Sequence, residues 1–359
     1  MMGPRLKYPR GTILIMALWV LGFLSVFAVT IGVHVRQKIT LLSRLEKRSA
    51  LQHLAEAGVR KAKAVFDSRH LGQGLPVSGS HKQAWFNDPV VFRAQRFGPG
   101  SFEVGYDVAS LGQADDVRQY GLTDEERRVN LNKADRYTLK RLIALAGRID
   151  EERADDLARA IISWREYGET DIVGFYSDAF YENLEFPYEL KKKPFEHLEE
   201  LRLVDGMSPD LFERLFDVVT VYGSGEVNIN TTSELVLVAL GLTQEAAQQI
   251  LTIRRGPDGL DATADDYMFM VNQDTNSLTL PAKNALAKDQ VGRLHELLKL
   301  ERVGVSSSFF RIESEGRLSG RAETMTITCV FEGKSGRIFY WKEERRHPPA
   351  ESALPWAGG

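Results

Sequence analysis

The chain has one cysteine, Cys329, in 359 residues. A lone cysteine excludes an internal disulfide and cannot by itself build a zinc site, so the redox compartment is not legible from cysteine usage. It sits in TMTITCVF, where Met325, Ile327, Cys329 and Phe331 alternate onto one face, the pattern of a small buried core residue. Seven histidines are scattered without HExxH or His/Cys ligand spacing. No Walker loop, GxSxG elbow or dinucleotide fingerprint occurs, so no catalytic constellation can be assembled and an enzyme is not expected. A formal net charge of −3 gives no general attraction to nucleic acid. Proline is missing from Thr12 to Phe66, so nothing in that stretch breaks a helix.

What is present is concentrated at the start. A basic leader, MMGPRLKYPR, ends at Gly11, and the uncharged run TILIMALWVLGFLSVFAVTIGV follows from Thr12 to Val33. About 22 residues at 1.5 Å each cover the roughly 30 Å hydrocarbon core of a bilayer, and only a helix crosses it with its backbone groups satisfied. A secretory signal would have a shorter apolar region, about 7–15 residues, and a small-residue cleavage site. A plain membrane anchor accounts for the run but not for Gly11 in front of it. Arg5, Lys7 and Arg10 precede the run while Arg36, Lys38, Arg44, Lys47 and Arg48 follow it, so charge leaves the topology open.

Val35, Ile39, Leu42 and Leu45, then Leu51, Leu54, Ala55, Gly58, Ala62 and Val65, continue an apolar stripe at helical spacing. Unbroken to Phe66, the helix is about 55 residues and ~80 Å long. Its outer half needs a sheet to cover the stripe. SFEVGYDVAS from Ser101 places Phe102, Val104, Tyr106 and Val108 on one side, and FFRIES, ETMTITCVFEG and RIFYWKE read as strands near the end. Gly333–Gly336 suits a hairpin between the last two. One strand before a long helical region and three after it imply a helical insertion, from about Val129 to Leu300, in an α+β domain.

The insertion contains an echo: VNLN at 129–132 and VNIN at 227–230. Each opens a helical pattern, with Asn132 placed to cap the first and Thr231 and Glu234 spaced as a capping box for the second. Gly147 and Gly241 mark turns within each pair, and Phe195–Val204 with Pro209–Val219 forms a further pair around Asp205-Gly206. These hairpins are similar to helix-hairpin-helix modules, but phosphate binding needs a glycine-rich turn with exposed N–H groups and basic support. Neither turn has Gly-x-Gly, and both carry acids where phosphate would dock, so the hairpins read as protein scaffold. Asp155-Asp156 and Glu199-Glu200 read as solvated charge. The loop GPDGLDATADD offers Asp258, Asp261, Asp265 and Asp266, an oxygen-rich set suited to Ca²⁺ but without EF-hand spacing. Either a calcium site or a solvated Asp/Gly loop fits that composition.

A basic leader ending in glycine before an apolar helix resembles the type III signal of pilins and pseudopilins. That resemblance implies cleavage between Gly11 and Thr12 by a prepilin peptidase, methylation of Thr12 and a cytoplasmic leader. With LAEAGVRKA, DEERRVNLNKAD, VYGSGEVNINTTSEL and RRGPDGLDATADD in that order, nearly the whole chain resembles the large minor pseudopilin K family of type II secretion. Pseudopilins carry glutamate at the fifth mature position; here that position is Met16, and the K family is the one lacking the acid. The first mature residue, Thr12, departs from the usual phenylalanine. The family implies an α+β pilin-like fold, with a large inserted all-α domain of helix-hairpin-helix or SAM-like modules. The implied layout is a leader at 1–11, a transmembrane half-helix at 12–33, pilin-like parts at 34–128 and 301–346, the insertion at 129–300 and a disordered tail at 347–359. It further implies a single-pass inner-membrane protein with a periplasmic bulk, at the pseudopilus tip with minor pseudopilins I and J and the major pseudopilin. Secretin and exported substrate are further partners, and calcium is the one candidate cofactor. The alternatives are a membrane-tethered competence-type DNA-binding protein and a minor pilin of a type IV pilus.

Overall fold

The computed structural model describes residues 12–70, 85–108, 117–165, 181–261, 263, 265–272, 277–280 and 286–346. The leader at 1–11, with Gly11, and the tail at 347–359 lie outside the described residues. The chain divides into two compact units, one up to His53 and one from Leu54 onward.

The first unit is helical. Helix α1 runs from Thr12 to His70, 59 residues or ~90 Å, as the absence of proline allows. Its side chains from Ile13 to Val33 are all exposed.

In the second unit the remainder of α1 lies on an antiparallel sheet. The strands are β1 (Gln95–Phe97), β2 (Gly100–Val104), β3 (Thr123–Asp124), β4 (Phe309–Leu318), β5 (Thr324–Glu332) and β6 (Ile338–Arg346). Their order is β1-β2-β4-β5-β6, and β3 also pairs with β4. Strand β4 is shared: Ser314–Leu318 pairs with β2, while Phe310 and Arg311 pair with Asp124 and Thr123. Gly333–Gly336 forms the expected hairpin after β5, closed by Gly336 N–H donating to Glu332 O at 2.8 Å.

Leu54, Ala55, Val59, Ala62 and Phe66 form the buried stripe of α1. Gly58 permits the close approach, since a Cβ there would overlap Ser314 Oγ and lie 3.0 Å from the Phe102 ring. Phe66 ends the stripe, with ring centroids 4.7 Å from Phe310, 5.3 Å from Phe331 and 5.2 Å from Trp85. Met325, Ile327, Cys329 and Phe331 are buried as their alternation predicts.

The strand expected from Ser101 is shorter than its alternation suggested. It ends at Val104, and Tyr106–Val108 pairs antiparallel with Val117–Gln119 in a separate two-stranded sheet. At Gly105 a Cβ would lie 2.6 Å from Gln119 O, and that crowding fits the break.

The inserted region has its own continuous core. Its helices are α2 (Arg136–Gly147), α3 (Glu151–Arg165), α4 (Pro209–Phe216), α5 (Glu234–Ala239), α6 (Gln244–Arg255) and α7 (Lys288–Lys299). The echo is structural. Val129–Asn130 pairs in parallel with Val219–Thr220, and Val227–Asn228 pairs in parallel with Val303–Gly304. In the first repeat, Asn132 accepts from Phe195 N–H at 2.8 Å and donates to Phe195 O at 2.9 Å. In the second, Asn230 does the same with Phe269 at 2.8 and 3.0 Å. Arg165 donates to the carbonyls of Leu131 and Ala134, and Arg254 donates to those of Ile229 and Thr232. These side chains satisfy buried carbonyls that a short two-residue strand leaves unpaired.

Two capping expectations fail because the asparagines and threonine are drawn into this frame. Helix α2 is capped by Asp135, which accepts from Thr138 N–H at 2.8 Å, rather than by Asn132. Helix α5 is capped by Ser233, while Thr231 donates to Asp124 at 2.6 Å.

Candidate assembly site

Two features stand out, a bare apolar stem and a buried polar junction under the inserted region. In the stem, Ile15, Leu18, Trp19, Gly22, Phe23 and Val26 line an open apolar groove, with the Trp19 and Phe23 rings 6.0 Å apart. Ser25 and Thr30 donate to Leu21 O and Val26 O at 2.8 Å, so both hydroxyls are satisfied within the helix, as a lipid environment requires. Met16 is 71% exposed on this surface, and Thr12 is the first helical residue. Its mean hydropathy of 2.5 over the most apolar window makes α1 a candidate span by length and composition.

The junction is built from three consecutive acids of the DEERR stretch. Asp124, at the end of β3, is buried and accepts at one oxygen from Asn228 Nδ2 at 2.9 Å, Thr231 Oγ1 at 2.6 Å and Ser307 Oγ at 2.6 Å. Its other oxygen caps the following turn through Glu126 N–H at 2.8 Å. Burial pushes its carboxyl up to about 6, against the lowering effect of Ser307 and Thr231. Glu125 accepts from Thr220 Oγ1 at 2.6 Å, from Arg128 at 3.4 Å and from Arg311 Nε. Burial alone would raise Glu125, but Arg311 and Arg128 outweigh it and hold the carboxyl down to about 2. Glu126 accepts from Ser224 N–H at 3.1 Å, Phe309 N–H at 3.3 Å and Ser308 N–H.

The three acids thus fasten different pieces to one point. Asp124 holds the second repeat, Glu125 ties the first repeat to β4, and Glu126 pins the Gly223–Gly225 loop to the start of β4. Their oxygens are taken up by donors, so the arrangement is suited to rigid attachment rather than proton transfer. Sequence reasoning passed over these roles. A usable signal existed in three consecutive acids, Asp124–Glu126, set two residues before the first Val-Asn.

The acids read as solvated charge are also partnered. Asp155 accepts from Arg136 Nε at 2.8 Å and from Arg159 Nε at 3.1 Å, and Arg136 is the leading cause of its carboxyl falling to about 2. Glu199 accepts from Tyr340 Oη at 2.6 Å, and Glu200 accepts from Lys191 Nζ at 2.7 Å. Arg136 and Tyr340 are brought to these carboxylates by the tertiary fold.

The four aspartates of the Gly256–Asp266 loop do not converge. Asp261 pairs with Arg254 at 3.4 Å and Arg255 at 3.1 Å. Asp265 accepts from Asp258 N–H at 3.1 Å and from Thr263 Oγ1 at 2.7 Å, and Thr263 also reaches Asp266 at 3.1 Å. Among the described residues no group of three or more His, Cys, Asp or Glu side chains is placed to hold a metal. As placed here, these carboxylates accept from arginine, backbone and hydroxyl donors.

A bare apolar stem continuous with a helix laid on an antiparallel sheet, with a helical body inserted in the chain, defines an α+β architecture with a candidate membrane anchor. Residues 107–224 match the family described as type II secretion system (T2SS), protein K. That match spans 118 of the 359 residues, about a third of the chain. No curated protein gave a significant match. Among solved structures, the chain is similar to one in the GspK-GspI-GspJ complex from the enterotoxigenic Escherichia coli type 2 secretion system, with TM-score 0.60 and 19% identity. That likeness covers 84% of this chain and 98% of the other, and at this identity it speaks to the fold.

Proposed function

We propose that this protein is a minor pseudopilin at the tip of the type II secretion pseudopilus, where it starts or caps assembly with minor pseudopilins I and J. The observation carrying this reading is α1: one uninterrupted helix, bare and apolar from Ile13 to Val33 and buried on a sheet from Leu54 to Phe66. Such a helix offers one end to lipid and sister helices and the other to a folded body. In this reading the leader is cut after Gly11, Thr12 becomes the methylated terminus, and the bulk lies in the periplasm. Met16 then stands where a neighbour-seeking carboxylate would be. An unpaired carboxylate in lipid is costly, and a subunit with nothing above it has no use for one. The inserted body, locked by Asp124, Glu125 and Glu126, supplies rigid bulk that stops further stacking.

The paired helices of the insertion are consistent with helix-hairpin-helix ancestry turned to scaffold use. Helix N-termini that would meet phosphate are occupied: Asp150 accepts from Arg153 N–H at 2.9 Å and Thr243 from Ala246 N–H at 3.2 Å. Calcium at Asp258, Asp261, Asp265 and Asp266 would have to draw Asp261 from two arginines, and titration calorimetry with CaCl₂ tests it. Co-purification of the processed chain with the I and J subunits tests the main reading. Failure to associate, with the helix intact, would overturn the tip assignment.

A further inference from the structure

Beyond the apolar run, α1 carries Arg36, Lys38, Arg44, Lys47 and Arg48, and Glu46 is the one acid between Thr12 and Ala55. None of the five cations enters an ion pair among the described residues. All but Lys47 are exposed. At 100° per residue, Arg36, Arg44, Lys47 and Arg48 fall within about 120° of arc, on the side away from Val35, Ile39 and Leu42.

Depth narrows what they can meet. Arg36 stands ~4.5 Å and Lys38 ~7.5 Å along the axis beyond Val33. The polar layer outside the hydrocarbon core is about 5–8 Å deep on each side, so both lie at headgroup level when the run spans a bilayer. Arg44, Lys47 and Arg48 rise ~16–22 Å, where the attraction of an anionic surface is largely screened. With the leader in the cytoplasm, the far flank also holds five cations against three before the run, the reverse of the usual bias. Cations retained against that bias, unpaired and at phosphate depth, are matched in charge by the lipid itself.

We propose that Arg36 and Lys38, with lesser help from Arg44, Lys47 and Arg48, hold anionic phospholipid headgroups at the outer end of the span and fix how deep the stem sits. The inference rests on Thr12–Val33 spanning a membrane. Each cation at an anionic surface favours association by about fivefold, equivalent to ~1 kcal/mol.

The test reconstitutes the full chain in phosphatidylcholine bilayers with trace spin-labelled phosphatidylglycerol or phosphatidylcholine, and reads the motionally restricted lipid by electron paramagnetic resonance. Phosphatidylglycerol is expected to be preferred at least fivefold. The preference should drop to near parity in R36Q/K38Q and fall far less in K47Q/R48Q. Equal association of both lipids with the unaltered chain overturns the proposal and leaves an acidic protein surface as the source of countercharge. A preference unchanged in R36Q/K38Q overturns it too. If the chain restricts neither lipid, the span reading fails and takes the inference with it.

Discussion

Gly58→Ala measures how closely α1 lies on the sheet. The new methyl would overlap Ser314 Oγ and reach within 3.0 Å of the Phe102 ring. In a helix interior, glycine to alanine is worth about 1 kcal/mol of stability, while overpacking a well-filled contact costs about 1–3 kcal/mol. Because Ser314 sits on the central strand β4 and is fully buried, the neighbour has little room to yield, and a net loss of about 1–2 kcal/mol is expected. Ser314 Oγ is itself buried without a hydrogen-bond partner. Ser314→Ala should therefore stabilise by up to about 1 kcal/mol. In the double variant the overlapping oxygen is gone and the methyl faces Ser314 Cβ at 3.2 Å, so most of the helix gain returns. A coupling of about 2–3 kcal/mol follows. Urea unfolding of the detergent-solubilised chain, followed by circular dichroism for all four members of the cycle, reads it. Additivity within about 0.5 kcal/mol would refute Gly58 as the point of approach.

The junction predicts a pH profile with two limbs. The raised Asp124 carboxyl adds stability that is complete below about pH 4 and is lost as pH rises through about 6, some 3 kcal/mol in size. The lowered Glu125 carboxyl adds about 3 kcal/mol above its ordinary range, lost as pH falls from about 4.5 toward 2. Stability should thus peak between the limbs, and D124N should flatten the upper limb; an unchanged slope there would contradict the Asp124 assignment. Asn132→Ala and Asn230→Ala should each cost about 2–4 kcal/mol in the same urea assay, because each leaves a buried N–H and C=O unpaired. A large cost at one and none at the other would break the equivalence of the repeats. Trp19→Ala with Phe23→Ala should leave urea stability within about 0.5 kcal/mol, since both side chains are exposed, yet abolish co-purification with partner subunits. Retained association would remove the groove from the assembly surface.

The long helix was legible because its signals are local: no proline, an apolar run, then an amphipathic stripe. Strand β5 was legible from alternation and β4 and β6 from their β-branched and aromatic content, and the insertion from their distance to β2. What escaped the sequence depends on partners far along the chain. Asn132 and Thr231 look like caps in isolation, but Phe195 and Asp124 claim them only once the repeats fold. Asp155 and Glu199 look solvated until Arg136 and Tyr340 arrive. Two-residue strands such as Thr123–Asp124 carry no periodicity to detect, and with them went the junction, whose acids take their roles from Asn228, Thr231, Ser307 and Arg311. The aspartate loop is a further case, since composition says nothing of Arg254 and Arg255 turning toward Asp261.

The central claim is that α1 is a prepilin-type stem released from its leader and built into a pseudopilus tip. Intact-mass and N-terminal peptide mass spectrometry of the protein purified from membranes tests it most directly. The account predicts a chain beginning at Thr12 and carrying one N-methyl group. A chain that retains Met1–Gly11 would contradict it.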